Sequence, residues 1–196
     1  MIRESIVTTQ SLDGRVHIAP LGLIVEGEHL IIAPFRPSQT LDNLRANPHA
    51  VVNYTDEVLI FAGCLTGKRD WPIHPADRVP GAVLDGALAH AELKVVAVSE
   101  DEQRPRFRCA VVHEVMHKPF HGFNRAQAAV VEAAILVSRL HMLPAEKIDR
   151  EIAYLQIAVD KTAGPGERQA WGWLMDRIAE HRTPAGSLQQ AKEKRT

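Results

Sequence analysis

The chain has 196 residues, of which 45% are hydrophobic and 24% are charged, and its formal net charge is -1. This length suits one sizeable globular domain, alone or with a helical appendage, and the balanced charge gives no reason to expect nucleic acid or a membrane surface as the main partner. Two cysteines, Cys64 and Cys109, form no C-x-x-C pair. That spacing favours two buried thiols in a reducing compartment over a disulfide framework.

The first ten residues contain no apolar signal-peptide core. The longest apolar run, AQAAVVEAAILV, is interrupted by Glu132 and is too short to span a bilayer. We therefore expect a soluble, cytoplasmic protein.

The first 120 residues consist mainly of short β-like runs separated by Gly, Pro, Asn and Asp. ESIVTTQ leads through the turn signal LDG into RVHIAPLGLIVEG, and a turn at 26–29 predicts a hairpin with LIIAPF. SQTLDNLRANP predicts a short helix that ends at Asn47-Pro48, and HAVVNYT predicts the next strand.

A loop-rich segment at 68–86 contains three prolines. It is followed by two alternating runs, AHAELKVVAVSE and RFRCAVVHEVMH, which predict an antiparallel pair of strands. From Phe123 onward the period becomes helical: an Ala-rich helix over 124–143, a second helix opened by Pro144 and ended by GPG at 164–166, and a third that buries Trp171, Leu174 and Ile178. The predicted fold class is α+β, with an antiparallel β-barrel followed by a small C-terminal helical bundle.

The stretch HEVMH at 113–117 matches the H-E-x-x-H signature of zinc peptidases, in which two histidines one helical turn apart bind one zinc ion. Here the flanking residues alternate as in a strand, and Pro119 follows closely. On a strand the Cα atoms of His113 and His117 lie roughly 13 Å apart, too far for one metal ion. We therefore predict no metal site, and a zinc hydrolase acting through these two histidines is only a remote alternative.

Three other polar groups are candidate binding residues. Arg36 stands beside the hydroxyls of Ser38 and Thr40 where a strand leads into a helix, an arrangement that suits a phosphate but also an ordinary helix cap. Asn53, Thr55 and Asp56 follow an apolar strand and suit either the rim of a heterocycle or a local turn, and the local pattern favours the turn. Asn124 is placed to cap the long helix, and Arg125 in its first turn opposes the helix dipole unless it serves an anion or a partner subunit.

The segments IVTTQSLDGRVHIAPLGLIV and FRPSQTLDNLRANPHAVVNYTDEV together resemble the amino-terminal half of flavin-reductase-like FMN-binding split-barrel proteins. GFNRAQAAVVEAAILVSRL is similar to a domain-of-unknown-function subgroup of that superfamily whose members bind FMN. The resemblance covers roughly residues 4 to 180. It implies a homodimer of six-stranded, Greek-key-like split barrels with an FMN in each of two clefts at the interface.

Carried onto this chain, the resemblance implies that Arg36, Ser38 and Thr40 hold the FMN phosphate. It also implies a set of residues along the isoalloxazine ring and ribityl chain: Thr8, Thr9, Ala19, Pro20, Leu21, Asn53 and Thr55, with Asn124 and Arg125 reaching in from the helical part. His117 and His121 are expected near Arg125 at the cleft.

The expected domains are an FMN-binding split barrel at 1–121, a helical subdomain at 122–183 that packs on the barrel and the dimer interface, and a flexible tail at 184–196. The leading hypothesis is an FMN-dependent oxidoreductase that reduces flavin or a small heterocycle. Its substrate would be a nicotinamide or a pterin, which would link the protein to pterin-dependent one-carbon metabolism. We assign no catalytic residue from the sequence. The alternative is an FMN-binding electron carrier or sensor without turnover of its own.

Overall fold

The computed structural model describes residues 1–183 of the chain. The strands in this range are β1 (Ile2–Gln10), β2 (Val16–Glu26), β3 (His29–Ile32), β4 (His49–Tyr54), β5 (Ile73–Pro75), β6 (Ala82–Leu84), β7 (Ala89–Ser99) and β8 (Arg106–Met116). The helices are α1 (Gln39–Ala46), α2 (Val58–Leu65), α3 (Arg125–Ser138), α4 (Ala145–Thr162) and α5 (Pro165–Arg182).

Six strands close an antiparallel barrel in the order β1-β2-β3-β8-β7-β4. The last two strands of the sequence are thus inserted between β3 and β4, a Greek-key-like arrangement. The predicted α+β class, with an antiparallel barrel followed by helices, is confirmed. Both predicted hairpin turns are also present, and Gly14 and Gly27 take positive φ angles of 85° and 60°, which an L side chain rarely adopts.

The barrel interior is filled by alternate apolar side chains of these strands. Leu23, Leu93 and Cys109 are 0% exposed, and Phe107 is 1% exposed. Alternate residues of a strand lie on the same face, so this burial agrees with the alternation of apolar residues that the sequence shows over β2, β7 and β8.

The pair β7–β8 contains a bulge beside this core. Glu92 pairs with His113 and Leu93 pairs with Val111, so Val112 has no partner in the ladder. The strand residues on the two sides of a bulge no longer share one alternation. Phe107 and Cys109 belong to the barrel core, whereas His113 lies beside Glu92 and Asp77.

Between α2 and β7 the chain forms a small two-stranded sheet, β5–β6, within a segment that the sequence predicts only as loop. Its strands have three residues each, and one contains Pro75, so neither has a readable alternation. The residues of β6 are nonetheless buried.

The chain divides into two compact units, of which the first comprises Met1–Asp56 and Asp70–His121. The second comprises Glu57–Arg69 and the chain from Gly122 onward. Helix α2 therefore belongs to the helical unit and not to the expected barrel domain of residues 1–121. Its sequence, VLIFAGCL, is apolar throughout, and such a run cannot be assigned from periodicity alone.

The helical unit has its own core, in which α2 contributes Val58 and Ala62 beside the apolar faces of α3, α4 and α5. Trp171, Leu174 and Ile178 of α5 are buried in this core, as predicted. Helix α4 begins directly after Pro144, also as predicted, whereas α3 ends at Ser138, earlier than expected. The predicted flexible tail, 184–196, lies outside the described residues. Among residues 1–183, no helix has both the length and the apolar character needed to cross a membrane.

Both cysteines are reduced and buried, and burial raises the pKa of Cys64 to about 11 and that of Cys109 to about 12. Because the thiolate is the reactive form, we predict that a thiol reagent such as Ellman's reagent labels neither cysteine of the native protein at mildly alkaline pH. Both should react once denaturant is added. Fast labelling of one thiol in the native state would contradict the buried environments described here.

Candidate cofactor site

The barrel brings half of the predicted cofactor residues onto three adjacent strands, β1, β2 and β4: Thr8, Thr9, Ala19, Pro20, Leu21 and Asn53. Strand β1 lies between β2 and β4, and Ile6 pairs with Pro20 on one side and with Asn53 on the other. Ala19, Pro20 and Leu21 are half-buried positions of β2. The fold therefore places these residues on neighbouring strands, and their contact with a cofactor stays a prediction.

The hydroxyls of Thr8 and Thr9 are engaged inside the protein. Thr8 is 0% exposed and donates to the carbonyl oxygen of Ala82 at 2.5 Å. Thr9 is 2% exposed, and its hydroxyl accepts from Nδ2 of Asn43 at 3.0 Å. These side chains thus tie β1 to β6 and to α1.

Asn53 and Thr55 also hydrogen-bond to the segment that precedes β7. The Asn53 side chain, 0% exposed, donates to the carbonyl oxygen of Ile6 at 3.2 Å and accepts from the N–H of Leu84 at 2.8 Å. Thr55 donates to the carbonyl oxygen of Gly86 at 2.9 Å. The structure therefore gives both side chains a fold-stabilising role that the sequence does not predict, and their contact with a heterocycle stays a prediction.

The start of α1 has the features of an anion-binding site. Ser38 is its N-cap and accepts from the N–H of Leu41 at 3.3 Å. The first N–H groups of a helix lack partners within the helix, which leaves those of Gln39 and Thr40 available. Thr40 is only 3% exposed, and its hydroxyl has no hydrogen-bond partner within residues 1–183.

Arg36 lies just before this helix and is held by the β7–β8 turn. Its Nη2 contacts a carboxylate oxygen of Glu100, and its Nε donates to the carbonyl oxygen of Asp101 at 3.1 Å. Arg45 in the last turn of α1 binds the same Glu100 carboxylate at 3.0 and 3.1 Å. Two guanidinium groups therefore share one carboxylate, and the charge of Arg36 also acts on the nearby Asp101 carboxylate.

Asn124 and Arg125 belong to the helical unit. Asn124 caps α3, as predicted: its Oδ1 accepts from the N–H of Ala126 at 2.8 Å, and its Nδ2 donates to the carbonyl oxygen of Thr162 at 3.1 Å. Arg125 is an exposed residue at the start of that helix. That they approach a cofactor stays a prediction, as it does for the exposed His121.

The stretch HEVMH lies on β8 and continues one residue beyond it, as the alternation predicts. The helix that the peptidase signature requires is not formed at these residues. His113 and His117 each lie instead beside His90 of the neighbouring strand, with ring centroids 6.2 and 5.0 Å away.

His90 and Glu92 on β7 are two polar residues that the sequence analysis does not single out. His90 is 2% exposed and Glu92 is 0% exposed. Nδ1 of His90 lies 2.7 Å from Nε2 of His117, and its Nε2 lies 3.4 Å from Oε1 of Glu92. Their i, i+2 spacing in AHAELKVV was the available signal, because it places both side chains on one face of a strand.

Partial burial lowers the pKa of His117, and the neighbouring rings of His90 and His74 lower it further. His117 therefore favours the neutral state more strongly than a free histidine does, and its ring nitrogen can accept a hydrogen bond.

The chain belongs to the family described as protein of unknown function DUF447. The N-terminal domain of that family matches residues 3–118, and a second family region matches residues 124–176. This confirms the subgroup suggested by the sequence motifs. No curated protein matches the chain.

Solved structures with the same fold include the FMN-bound DUF447 protein MM1853 from Methanosarcina mazei. The TM-score is 0.79 at 20% identity, over 90% of this chain and 94% of that one. The 2-nitrobenzoate 2-nitroreductase NbaA from Pseudomonas fluorescens has a TM-score of 0.50 at 19% identity, over 58% of this chain and 64% of that one. Flavoredoxin from Methanosarcina acetivorans has a TM-score of 0.50 at 12% identity, over 61% of this chain and 74% of that one. At these identities the similarity establishes the fold.

Replacing Asn53 separates its role in the fold from a role in binding. Asn53→Ala leaves the N–H of Leu84, a residue only 1% exposed, without its acceptor. We expect the free energy of unfolding of the cofactor-free protein to fall by about 1–3 kcal/mol, measured by denaturant titration. The exposed control Gln103→Ala should change it by less than about 0.5 kcal/mol. An Asn53→Ala protein of unchanged stability would contradict the fold-stabilising role.

Proposed function

We propose that this protein is an FMN-binding flavoprotein that acts as an oxidoreductase. The observation that carries the proposal is the start of α1, where a capped helix end, the unpartnered Thr40 hydroxyl and the Arg36 guanidinium lie close together in sequence. The FMN-bound family member, which shares the fold over 90% of this chain, supports the same cofactor.

The residues present fit the phosphate of FMN. Backbone N–H groups at a helix start favour an anion, and a hydroxyl and a guanidinium add directed donors. Ser38 supports the site indirectly, because its hydroxyl is occupied as the helix cap. Arg36 would have to share its charge between the phosphate and Glu100, and the second guanidinium of Arg45 on that carboxylate favours such sharing.

The half-buried segment Ala19–Leu21 of β2 would lie along the ring, with the backbone of Thr8 and Thr9 beside it. Because the hydroxyls of Thr8 and Thr9 already hydrogen-bond to β6 and α1, we assign their contribution to the main chain and to apolar contact. The bound flavin would supply the redox chemistry, so no carboxylate pair or activated nucleophile is required of the protein.

We further propose a homodimer, in which a second copy completes the cleft. Strands β7 and β8 carry exposed apolar side chains: Val96 at 52%, Val98 at 47%, Val111 at 40% and Val112 at 47% exposure. Exposed apolar clusters of this kind are typical of protein interfaces. A nicotinamide or a pterin is the proposed substrate class, and the two reduced, buried thiols fit the proposed cytoplasmic location.

Reconstitution with FMN tests the central proposal. We expect the purified protein to bind one FMN per chain, measured by fluorescence quenching of the free flavin and by chromatography of the released flavin. Arg36→Ala should weaken FMN binding by roughly tenfold to a hundredfold, because it removes a charge-assisted contact with the phosphate. For riboflavin, which lacks the phosphate, the affinities of the parent protein and the Arg36→Ala variant should differ much less.

Arg182→Ala is the matched control, because Arg182 is also a partly exposed arginine paired with a carboxylate, that of Asp149. Its FMN affinity should equal that of the parent protein. A protein that cannot be reconstituted with FMN would refute the flavoprotein proposal. Equal FMN affinity in the Arg36 variant would instead place the phosphate elsewhere.

Anaerobic reduction tests the oxidoreductase part. We expect NADH or NADPH to bleach the visible absorbance of the FMN-loaded protein faster than that of free FMN at the same concentration, followed by stopped-flow spectroscopy. The physical reason is that a bound nicotinamide is held beside the ring, which removes the entropic cost of a bimolecular encounter. A flavin that is reduced by light or dithionite, but by neither pyridine nucleotide nor a reduced pterin, would favour an electron carrier or sensor.

A further inference from the structure

Glu92 is a carboxylate buried completely in the barrel unit, and its oxygens face a loop before β6. Its Oε1 accepts from the N–H of Asp77 at 2.8 Å, and its Oε2 accepts from those of Arg78 at 2.7 Å and Val79 at 2.9 Å. Each carboxylate oxygen can accept two hydrogen bonds, so Oε1 retains a lone pair, toward which only the weak 3.4 Å contact of His90 is directed.

Burial and hydrogen bonding act in opposite directions on the carboxyl group of Glu92. Burial by itself raises its pKa, but the hydrogen bonds from Asp77, Arg78, His90 and Val79 together outweigh burial and lower its pKa below the usual value.

Two further ligand-type side chains converge on the same point. His113 is the partner of Glu92 across the β7–β8 ladder, next to the bulge at Val112. Nε2 of His113 lies 3.5 Å from Oδ2 of Asp77. One ligand atom each from Asp77, Glu92 and His113 lies within 4.8 Å of both others.

We propose that Asp77, Glu92 and His113 form a binding site for a divalent first-row transition metal ion. Zinc binds carboxylate oxygen and imidazole nitrogen at about 2.0–2.2 Å in a tetrahedral arrangement, so ligand atoms on one ion lie about 3.3–3.6 Å apart. The 3.5 Å between Nε2 of His113 and Oδ2 of Asp77 lies in this range. The separations that involve Glu92 are at most 4.8 Å, so metal binding requires an adjustment of these side chains. The two carboxylates of the site would compensate the charge of a divalent ion.

The surroundings of the three ligands match those of metal sites. Ligating carboxylates are commonly oriented by hydrogen bonds to their other oxygen, as the N–H groups of Arg78 and Val79 do for Glu92. The side chain of His113 is 29% accessible, so one side of the site opens to solvent and leaves coordination positions for water or a substrate. One imidazole and two carboxylates favour Mn²⁺, Fe²⁺ or Zn²⁺ over the soft Cu⁺.

This site differs from the one that the HEVMH motif suggests. It uses His113 but not His117, and its other ligands come from β7 and from the loop before β6. His117 instead contacts His90, the neighbour of Glu92. The site is also independent of the proposed flavin function, because none of its residues belongs to the predicted FMN-binding set.

Binding of Mn²⁺ to the purified protein tests the proposal. The electron paramagnetic resonance signal of free Mn²⁺ reports the bound fraction without interference from oxidised flavin, and the FMN content is measured in the same samples. We expect one saturable Mn²⁺ per chain, displaced by Zn²⁺. Asp77→Asn and His113→Gln should each weaken Mn²⁺ binding at least about tenfold.

Asp77→Asn is the most informative variant, because it should fold like the parent protein. It alters only an exposed side chain and keeps the backbone N–H that binds Glu92. Asp85→Asn is the matched control: Asp85 also pairs with a histidine, His74, at 2.7 Å, but belongs to no three-residue ligand group within residues 1–183. It should bind Mn²⁺ like the parent protein. No saturable binding, equal binding by a folded Asp77→Asn protein, or equal loss in the Asp85→Asn protein would overturn the proposal.

Discussion

The barrel unit depends on buried polar side chains that hold the chain between residues 72 and 88 against the strands. This segment is broken by prolines and has only two strands of three residues, so it cannot satisfy its own backbone. Thr8 binds the carbonyl of Ala82, Asn53 binds the N–H of Leu84, and Glu92 binds three successive N–H groups. Each of these side chains is 0% exposed, so losing any one would strand a buried backbone group.

This constraint determines which residues remain for recognition. Thr8, Thr9 and Asn53 suit cofactor binding by residue type, but their side chains already have partners inside the protein. Polar groups with spare capacity lie at the start of α1, where a helix end and a guanidinium offer donors, and around Oε1 of Glu92. The first suits a phosphate monoester and the second a cation, and the opposite charges of the two sites keep their ligands distinct.

Local signals in the sequence were sufficient for most of the fold. Alternation defined β2, β7 and β8, glycine marked both hairpin turns, and Pro144 and the Asn124 cap marked the helices that follow them. The missed elements lack such signals: α2 is apolar on every side, and β5 and β6 are too short to alternate. Within the candidate sites, residue type predicted a helix cap at Ser38 or Thr40, and the structure has it at Ser38. It could not predict that Asn53 and Glu92 bind a distant segment, because those contacts span 31 and up to 15 positions.

Because Val112 has no partner, the odd-numbered side chains of β8 lie on one face of the strand before Val112 and on the other face after it. Odd-numbered residues before it, Phe107 and Cys109, pack into the barrel core, whereas odd-numbered residues after it, His113 and His117, lie with His90 and Glu92. In a regular ladder, Val112 would pair with Glu92 and His113 with Ala91, a residue of the barrel core. The same sequence without the bulge would therefore direct the imidazole of His113 toward the apolar interior. The bulge at Val112 is thus as much a determinant of the polar cluster as the histidines themselves.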